Sequence, residues 1–248
     1  MRYLGGKAHS AKFIAPFIQK ALHKLQISGK TPQYLEPFCG GCNIIAVVKC
    51  PVRIASDIHE DLILMWTALQ KGELSLPQCM TLEAYKKLKD SSPSALRGFV
   101  GFSIGFGGIF YGNYSRITTG ESNLKSSTTF LNRGRNGVLA KLPYLVGVKF
   151  HHCDYKQWKP RDIVIYCDPP YIGTYGYKET PDFDHKEFWD VMRAWSRNNT
   201  VFISEQNAPP DFTTVWEKEV RRTCAGSPVG KQKLAVKEKL FQYKGATQ

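Results

Sequence analysis

The sequence predicts an α/β domain on a doubly wound, mostly parallel sheet, interrupted by an inserted segment. Three observations predict it. Short β-branched runs alternate with helical stretches up to residue 72. The alternation stops between residues 73 and 149, which are rich in Gly, Ser, Asn and aromatics. It resumes at "VKFHHCDY" and "DIVIYCDPPY". A chain of 248 residues suits one such domain with an insertion. The expected organisation is therefore 1–72 and 150–248 as two parts of one α/β domain, with 73–149 as a largely helical and looped insert.

Each element has its own signal. Residues 1–9 read as a glycine-containing loop. Ser10 is a candidate cap for a helix over 11–26, whose apolar stripe is Phe13, Ile14, Phe17, Ile18, Leu22 and Leu25. "QYLEPF" reads as a strand entering the glycine turn "CGGCN", and "IIAVVKC" as a buried helix after it. "RIASD" is a second strand, and "HEDLILMWTALQKG" a second helix closed by Gly72. Ile163, Val164 and Ile165 begin a core strand that stops at Pro169 and Pro170, which cannot donate to a sheet ladder. Asp184, with Glu187 three residues on, caps a further helix. "TVFIS" is another strand, and "KLAVKEKLFQYK" a hairpin or edge strand.

Charge and cysteine usage narrow the function classes. The formal net charge of +13 favours polyanions, nucleic acid above all. Residues 84–149 hold ten Lys or Arg against two acids, Asp90 and Glu121, so they carry most of the excess. The same stretch contains "GFGGIFYGNYSR". Arg and Lys neutralise phosphates there, Asn and Arg can read base edges, and aromatic rings can stack or wedge. Tyr111, Asn113, Tyr114, Ser115, Arg116 and Arg133 are the candidate DNA contacts. No apolar run approaches a membrane span, and "MRYLGGKAHSAKF" has no apolar signal region, so a cytoplasmic, nucleoid-associated protein is expected. The seven cysteines include one CxxC, Cys39 to Cys42, with no second CxxC and no HxxxH. They read as reduced, buried small hydrophobes, and no metal site is expected.

"EPFCGGCN" sits at a strand-to-helix turn where glycines let a ligand approach the backbone. Asp57 follows Gly41 by 16 residues and Gly40 by 17, close to the interval at which an acid holds ribose hydroxyls. A packing turn is the alternative. GxGxxG and GxxxxGK[ST] are both absent, which argues against NAD and nucleoside triphosphates. A nucleoside with a small zwitterionic tail fits better.

"DPPY", residues 168–171, suits chemistry on an exocyclic amine. The lone pair of such an amine is delocalised into its ring. The Asp168 carboxylate and the Pro169 carbonyl could accept its two N–H bonds and draw it toward a tetrahedral geometry. Pro169 and Pro170 stiffen the carbonyl. Tyr171 would stack on the base. A duplex hides that amine, so the base would be flipped out.

Four ordered blocks resemble one family. "RYLGGK" (2–7), "EPFCGG" (36–41), "SDIHEDL" (56–62) and "DPPY" (168–171) resemble the S-adenosylmethionine-dependent adenine-N6 DNA methyltransferases of the DNA-adenine-methylase type. The insert between the ribose segment and DPPY is the α-group order. "FVGFSIGFGGIFYGNYSR" and "FDHKEFW" resemble phage-borne members.

The resemblance implies a Rossmann-like methyltransferase sheet with a DNA-recognition insert. It implies S-adenosylmethionine as cofactor, and double-stranded DNA as partner with no membrane and no obligate protein partner. It implies methylation at a short site. By position, Tyr3 and Lys7 would lie at the methionine part, and Glu36, Phe38 and Gly40 would line the cofactor. Asp57 would take the ribose, and Asp154 and Tyr155 the adenine. Asp168 and Tyr171 would act on the target base, with Asp168 also reaching the cofactor. Cys42 stands where the family has Gly or another small residue. The amine chemistry alone leaves cytosine N4, adenine in RNA, and a non-catalytic DNA-binding module open. A protein-glutamine methyltransferase would carry Asn at 168.

Overall fold

The computed structural model describes residues 3, 5–112, 121–171, 183–223 and 233–245. The strands are β1 (Gln33–Glu36), β2 (Val52–Asp57), β3 (Val148–His152), β4 (Val164–Cys167), β5 (Thr200–Glu205), β6 (Phe212–Thr223) and β7 (Lys233–Tyr243). They form one mixed sheet in the order β3-β2-β1-β4-β5-β7-β6. The helices are α1 (Ala11–Ile27), α2 (Glu60–Lys71), α3 (Leu82–Lys89), α4 (Ala95–Ile104), α5 (Glu121–Leu139), α6 (Leu142–Leu145) and α7 (His185–Ser196). The chain divides into two compact units. The first comprises Met1–His9, Cys39–Val47 and Ala55–Asp154; the second comprises Ser10–Phe38, Val48–Ile54 and Tyr155–Gln248.

In the second unit, β4 runs parallel to both β1 and β5, with Tyr34 opposite Val164 and Ile165 opposite Val201. All four β4 residues are buried, as expected of a central parallel strand covered on both faces. Alternation sorts the side chains. Leu35, Ile165, Cys167, Val201 and Ile203 pack with Phe188, Trp189, Met192 and Trp195 of α7. The opposite parity carries Tyr34, Tyr166 and Ser204, and α1 packs on β4 through the other layer. The polar groups on this face are paired. The Tyr34 hydroxyl donates to Glu36 over 3.1 Å, and Tyr166 and Ser204 share a 2.8 Å bond. β7 then pairs antiparallel with β5, and β6 with β7, so the sheet ends in a long hairpin with an irregularity between Thr214 and Trp216.

In the first unit, α2 packs on α4 and β3. The helices approach closely because residue 98 is glycine: a Cβ there would lie 2.2 Å from the Asp61 carbonyl oxygen. Beside this contact the buried Asp61 carboxylate pairs with Arg97 and accepts the Ser94 amide over 2.8 Å. Gly72 ends α2 in the left-handed region, with φ 72.

Several expectations change. "IIAVVKC" forms no regular helix; residues 40–47 follow a series of turns. Ile44, Ile45 and Val48 are buried there, and β-branched residues after two glycines hold a helix poorly. Ser10 precedes α1, but its hydroxyl makes no cap bond and donates to the buried Glu238 carboxylate instead. β6 joins the expected C-terminal strand as a full partner. Cys39, Cys42 and Cys167 are buried, whereas Cys79 is exposed. Among the described residues no helix is long and apolar enough to cross a membrane, and no cluster of three His, Cys, Asp or Glu could hold a metal ion.

The α2–α4 contact predicts that Gly98→Ala lowers stability by about 1–3 kcal/mol through overpacking against backbone. Urea unfolding measures it, and a midpoint equal to that of the wild type would show that the helices separate without cost.

Candidate active site

The glycine turn is built from three directions within the first unit. The Cys39 amide donates to the Ser56 carbonyl over 2.9 Å. The Gly40 amide donates to Asp57 Oδ2 over 2.9 Å, and the His59 amide to Asp57 Oδ1 over 3.1 Å. The Trp66 indole Nε1 donates to the Gly40 carbonyl over 3.0 Å. Lys141 Nζ donates to the Gly41 carbonyl. Gly40 has φ 43, and a Cβ on it would lie 2.5 Å from Cε1 of Tyr3. The Tyr3 ring in turn packs on Phe102 at 5.2 Å. Only glycine allows this approach of ring to backbone.

Cys42 closes the turn, its amide donating to the Cys39 carbonyl over 2.7 Å. It is fully buried with φ 51, a conformation that favours glycine. The position therefore requires a small residue for two reasons, burial and backbone.

Asp57 is buried, and burial raises its carboxyl to about 6 against the bonds from the Gly40, His59 and Ile58 amides and the charge of His152. Burial lowers the His59 imidazole to about 4, aided by the Arg97 charge, so it is neutral at physiological pH. β3 is tied to the same acid: the Cys153 amide donates to the Asp57 carbonyl over 3.2 Å, just ahead of half-buried Asp154. Lys7 is buried, with Nζ donating to the Gly5 carbonyl over 3.1 Å.

The second unit carries the remaining candidates at the carboxyl ends of β1 and β4. These neighbours flank the point where strand order reverses: β2 and β3 lie outward of β1, and β5 lies outward of β4. Open α/β sheets bind ligands at such a switch point. Glu36 ends β1, buried, and accepts from Tyr34. Phe38 and Tyr155, far apart in sequence, meet with ring centroids 5.1 Å apart. Phe188 of α7 backs Phe38 at 5.9 Å and Tyr155 at 5.8 Å. Asp168 follows β4 half-buried, between buried Cys167 and buried Pro169; Pro170 is half-buried and Tyr171 buried. Tyr166, two residues earlier, has its phenol held far above its ordinary pKa by burial first, then by the charges of Asp168 and Tyr171.

Among the insert candidates, Arg133 is exposed on α5. Tyr111 is buried, its ring 4.9 Å from both Tyr85 and Phe110 and beneath the Arg97 guanidinium at 5.8 Å. Its hydroxyl is buried with no hydrogen-bond partner among the described residues. Tyr111 thus supports the segment from within. Asn113, Tyr114, Ser115 and Arg116 lie outside the described residues. Sequence reasoning missed Trp66 and Lys141. Trp66 sits in the apolar stripe of α2 and reads as core, and nothing local links Lys141 to a turn 100 residues away.

Residues 3–94 match the model of the D12 class N6 adenine-specific DNA methyltransferases. The N-terminal part of this chain is thus similar to the D12 class over about a third of its length. The match spans Tyr3, Lys7, Glu36, Phe38, Gly40 and Asp57, and ends before the insert candidates and DPPY. Among solved structures, the rRNA methyltransferase aviRa from Streptomyces viridochromogenes is 13% identical, with a TM-score of 0.40 over 98% of this chain and 87% of that one. SMU.472, solved in complex with SAH, is 11% identical with a TM-score of 0.31 over 92% of this chain. The chain covers 52% of it. No curated protein matches the chain. The D12 match therefore rests on residues 3–94 and their motifs.

Two predictions follow from the glycine turn. Asp57 has a folded pKa near 6 against an ordinary 3.8, so its contribution to stability is full below pH 3.8 and is lost as pH rises through 6. Asp57→Asn should therefore gain on the wild type by on the order of 2 kcal/mol between pH 4 and pH 7. Parallel unfolding curves for the two proteins at both pH values would refute this. At position 42, Cys42→Gly should keep stability within about 1 kcal/mol, relief of backbone strain offsetting lost packing. Cys42→Val should lose about 2 kcal/mol or more, because a β-branched residue resists positive φ. Thermal melts of the pair provide the comparison.

Proposed function

We propose that the chain transfers a methyl group from S-adenosylmethionine to the N6 amine of an adenine flipped out of double-stranded DNA, at a short recognition sequence. The observation that carries this reading is DPPY at the carboxyl end of buried β4, beside β1 at the sheet's switch point, in a chain whose residues 3–94 match the D12 class model.

The residues fit the cofactor. Asp57 is buried at the end of β2, its two oxygens accepting the Gly40 and His59 amides. The two hydroxyls of a ribose would supply donors to its charged form. Tyr3, against the Gly40 backbone, and buried Lys7 suit the small zwitterionic tail. Glu36, Phe38, Asp154 and Tyr155 suit the rest, with the Phe38–Tyr155 pair offering an aromatic face for an adenine. The cofactor, when bound, supplies an electrophilic methyl group.

The chain's own residues do the remaining work. The Asp168 carboxylate and the Pro169 carbonyl accept the two amine N–H bonds and concentrate the lone pair on nitrogen. Pro169 and Pro170 hold that carbonyl still, and Tyr171 stacks on the extruded base. The rate gain comes from positioning and electrostatics, without a covalent enzyme intermediate. Residues 1–72 and 150–248 serve catalysis and 73–149 serve recognition. In the recognition segment Arg133 and the Asn113–Arg116 stretch face DNA, with Tyr111 supporting them. Such an enzyme works where the DNA is, in the cytoplasm at the nucleoid.

Nucleoside mass spectrometry of DNA and RNA incubated with protein and S-adenosylmethionine tests the reading. N6-methyladenine in DNA alone is expected. Asp168→Ala should abolish its formation while calorimetric cofactor binding stays within about threefold, as for a group acting mainly in the transition state. N4-methylcytosine, methylation confined to RNA, or an active Asp168→Ala protein would each overturn it.

A further inference from the structure

Lys141 lies between α5 and α6, at the far end of the 73–149 segment. Its ammonium nevertheless reaches the glycine turn. It donates to the Gly41 carbonyl and, over 2.7 Å, to Asn43 Oδ1, and stands 6.0 Å from the Trp66 ring centroid. Trp66 itself holds the preceding carbonyl, that of Gly40, over 3.0 Å. Two consecutive carbonyls of the turn are thus drawn toward two side chains, one neutral and one cationic.

The consequence follows from peptide planarity. The N–H and C=O of one trans peptide point in opposite directions. The Gly40 carbonyl turned to Trp66 sends the Gly41 amide the other way. The Gly41 carbonyl turned to Lys141 aims the Cys42 amide at Cys39, where it bonds over 2.7 Å. Lys141 also orients Asn43. With Oδ1 on the ammonium, the Asn43 Nδ2 lies 2.9 Å from where a Cβ on Gly6 would be and 3.2 Å from one on Gly41. One cation therefore ties together the end of the insert, the glycine turn and the N-terminal Gly-Gly-Lys loop. A hydrogen bond from a charged donor is about twice as strong as a neutral one, and the Trp66 face favours a cation.

We propose that Lys141 is a positioning residue for the cofactor turn, through which the end of the recognition segment sets cofactor affinity. The proposal rests on the S-adenosylmethionine reading above. Its chemistry is that of a fixed donor behind the turn, with no contact to the reacting atoms. Lys141→Met keeps most of the apolar stem and removes the donor; Lys141→Arg keeps the charge.

Hydrogen exchange of the cofactor-free protein should show faster exchange over residues 39–43 in Lys141→Met than in wild type. Calorimetry should show S-adenosylmethionine bound roughly tenfold more weakly, a factor that corresponds to about 1.4 kcal/mol. The kcat at saturating cofactor should stay within twofold, and Lys141→Arg should recover at least half of the lost affinity on a logarithmic scale. Unchanged exchange over 39–43, or unchanged cofactor affinity with only a lower melting temperature, would overturn the proposal and leave Lys141 a stability residue. Wild-type protein that binds no S-adenosylmethionine would instead sink the cofactor reading, and the exchange data alone would then decide whether Lys141 holds the turn.

Discussion

The Asp57 carboxylate, at the end of β2, is the constraint on which the glycine turn depends. It accepts the Gly40 amide on one oxygen and the His59 amide on the other, so it spans the turn after β1 and the start of α2. Its own carbonyl takes the Cys153 amide from the β3 end. Three segments separate in sequence meet on one buried acid. Burial is costly for a carboxylate, and the carboxyl titrates near 6 because the amides only partly compensate. A neutral Asn could accept with one oxygen alone and could not bridge both amides.

The second unit solves a different problem, that of stopping a fully buried strand while leaving polar atoms usable. β4 is hydrogen-bonded on both sides, so its end must present groups that need no ladder partner. Pro169 and Pro170 meet that need because they lack N–H donors. The register continues the point: Tyr34 opposite Val164 and Leu35 opposite Ile165 set Glu36 beside Tyr166. Asp168 shares the parity of Tyr166, and so belongs to the face that carries the paired polar groups, away from the α7 core. Tyr166 fixed to Ser204 holds the strand one turn of the pleat before the acid.

Local signals were readable and long-range ones were not. Gly72 at the end of α2 and Asp184 at the start of α7 act as their residue types suggest, with φ 72 at the first and a 2.9 Å bond to the Glu187 amide at the second. The Gly40–Asp57 relation was legible as a spacing, though the spacing gave no sign that the acid holds the turn's own amide. "IIAVVKC" misled because its apolar density suits a buried helix or a buried irregular turn equally. Ser10 looked like a cap, but Glu238, 228 residues on, competes for its hydroxyl. β6 carries "TTVWEKEV", whose adjacent Val215 and Trp216 break the period-two pattern at the irregularity between Thr214 and Trp216. Trp66 and Lys141 have no local signature at all, since their partners are set by the fold.

The basic insert shows why charge must be located before it is interpreted. Of its ten cations, Arg97 pairs with Asp61 and covers Phe110 at 5.2 Å, and Lys141 holds the glycine turn. Both serve packing. Lys86, Lys87 and Lys89 on α3, Arg133 on α5 and Lys149 on β3 are exposed instead. Tyr111 follows the same logic, since composition groups it with the surface aromatics yet its ring fills the space between Tyr85, Phe110 and Arg97. A ring at φ 43 with a buried hydroxyl is tolerated only where its neighbours fix it.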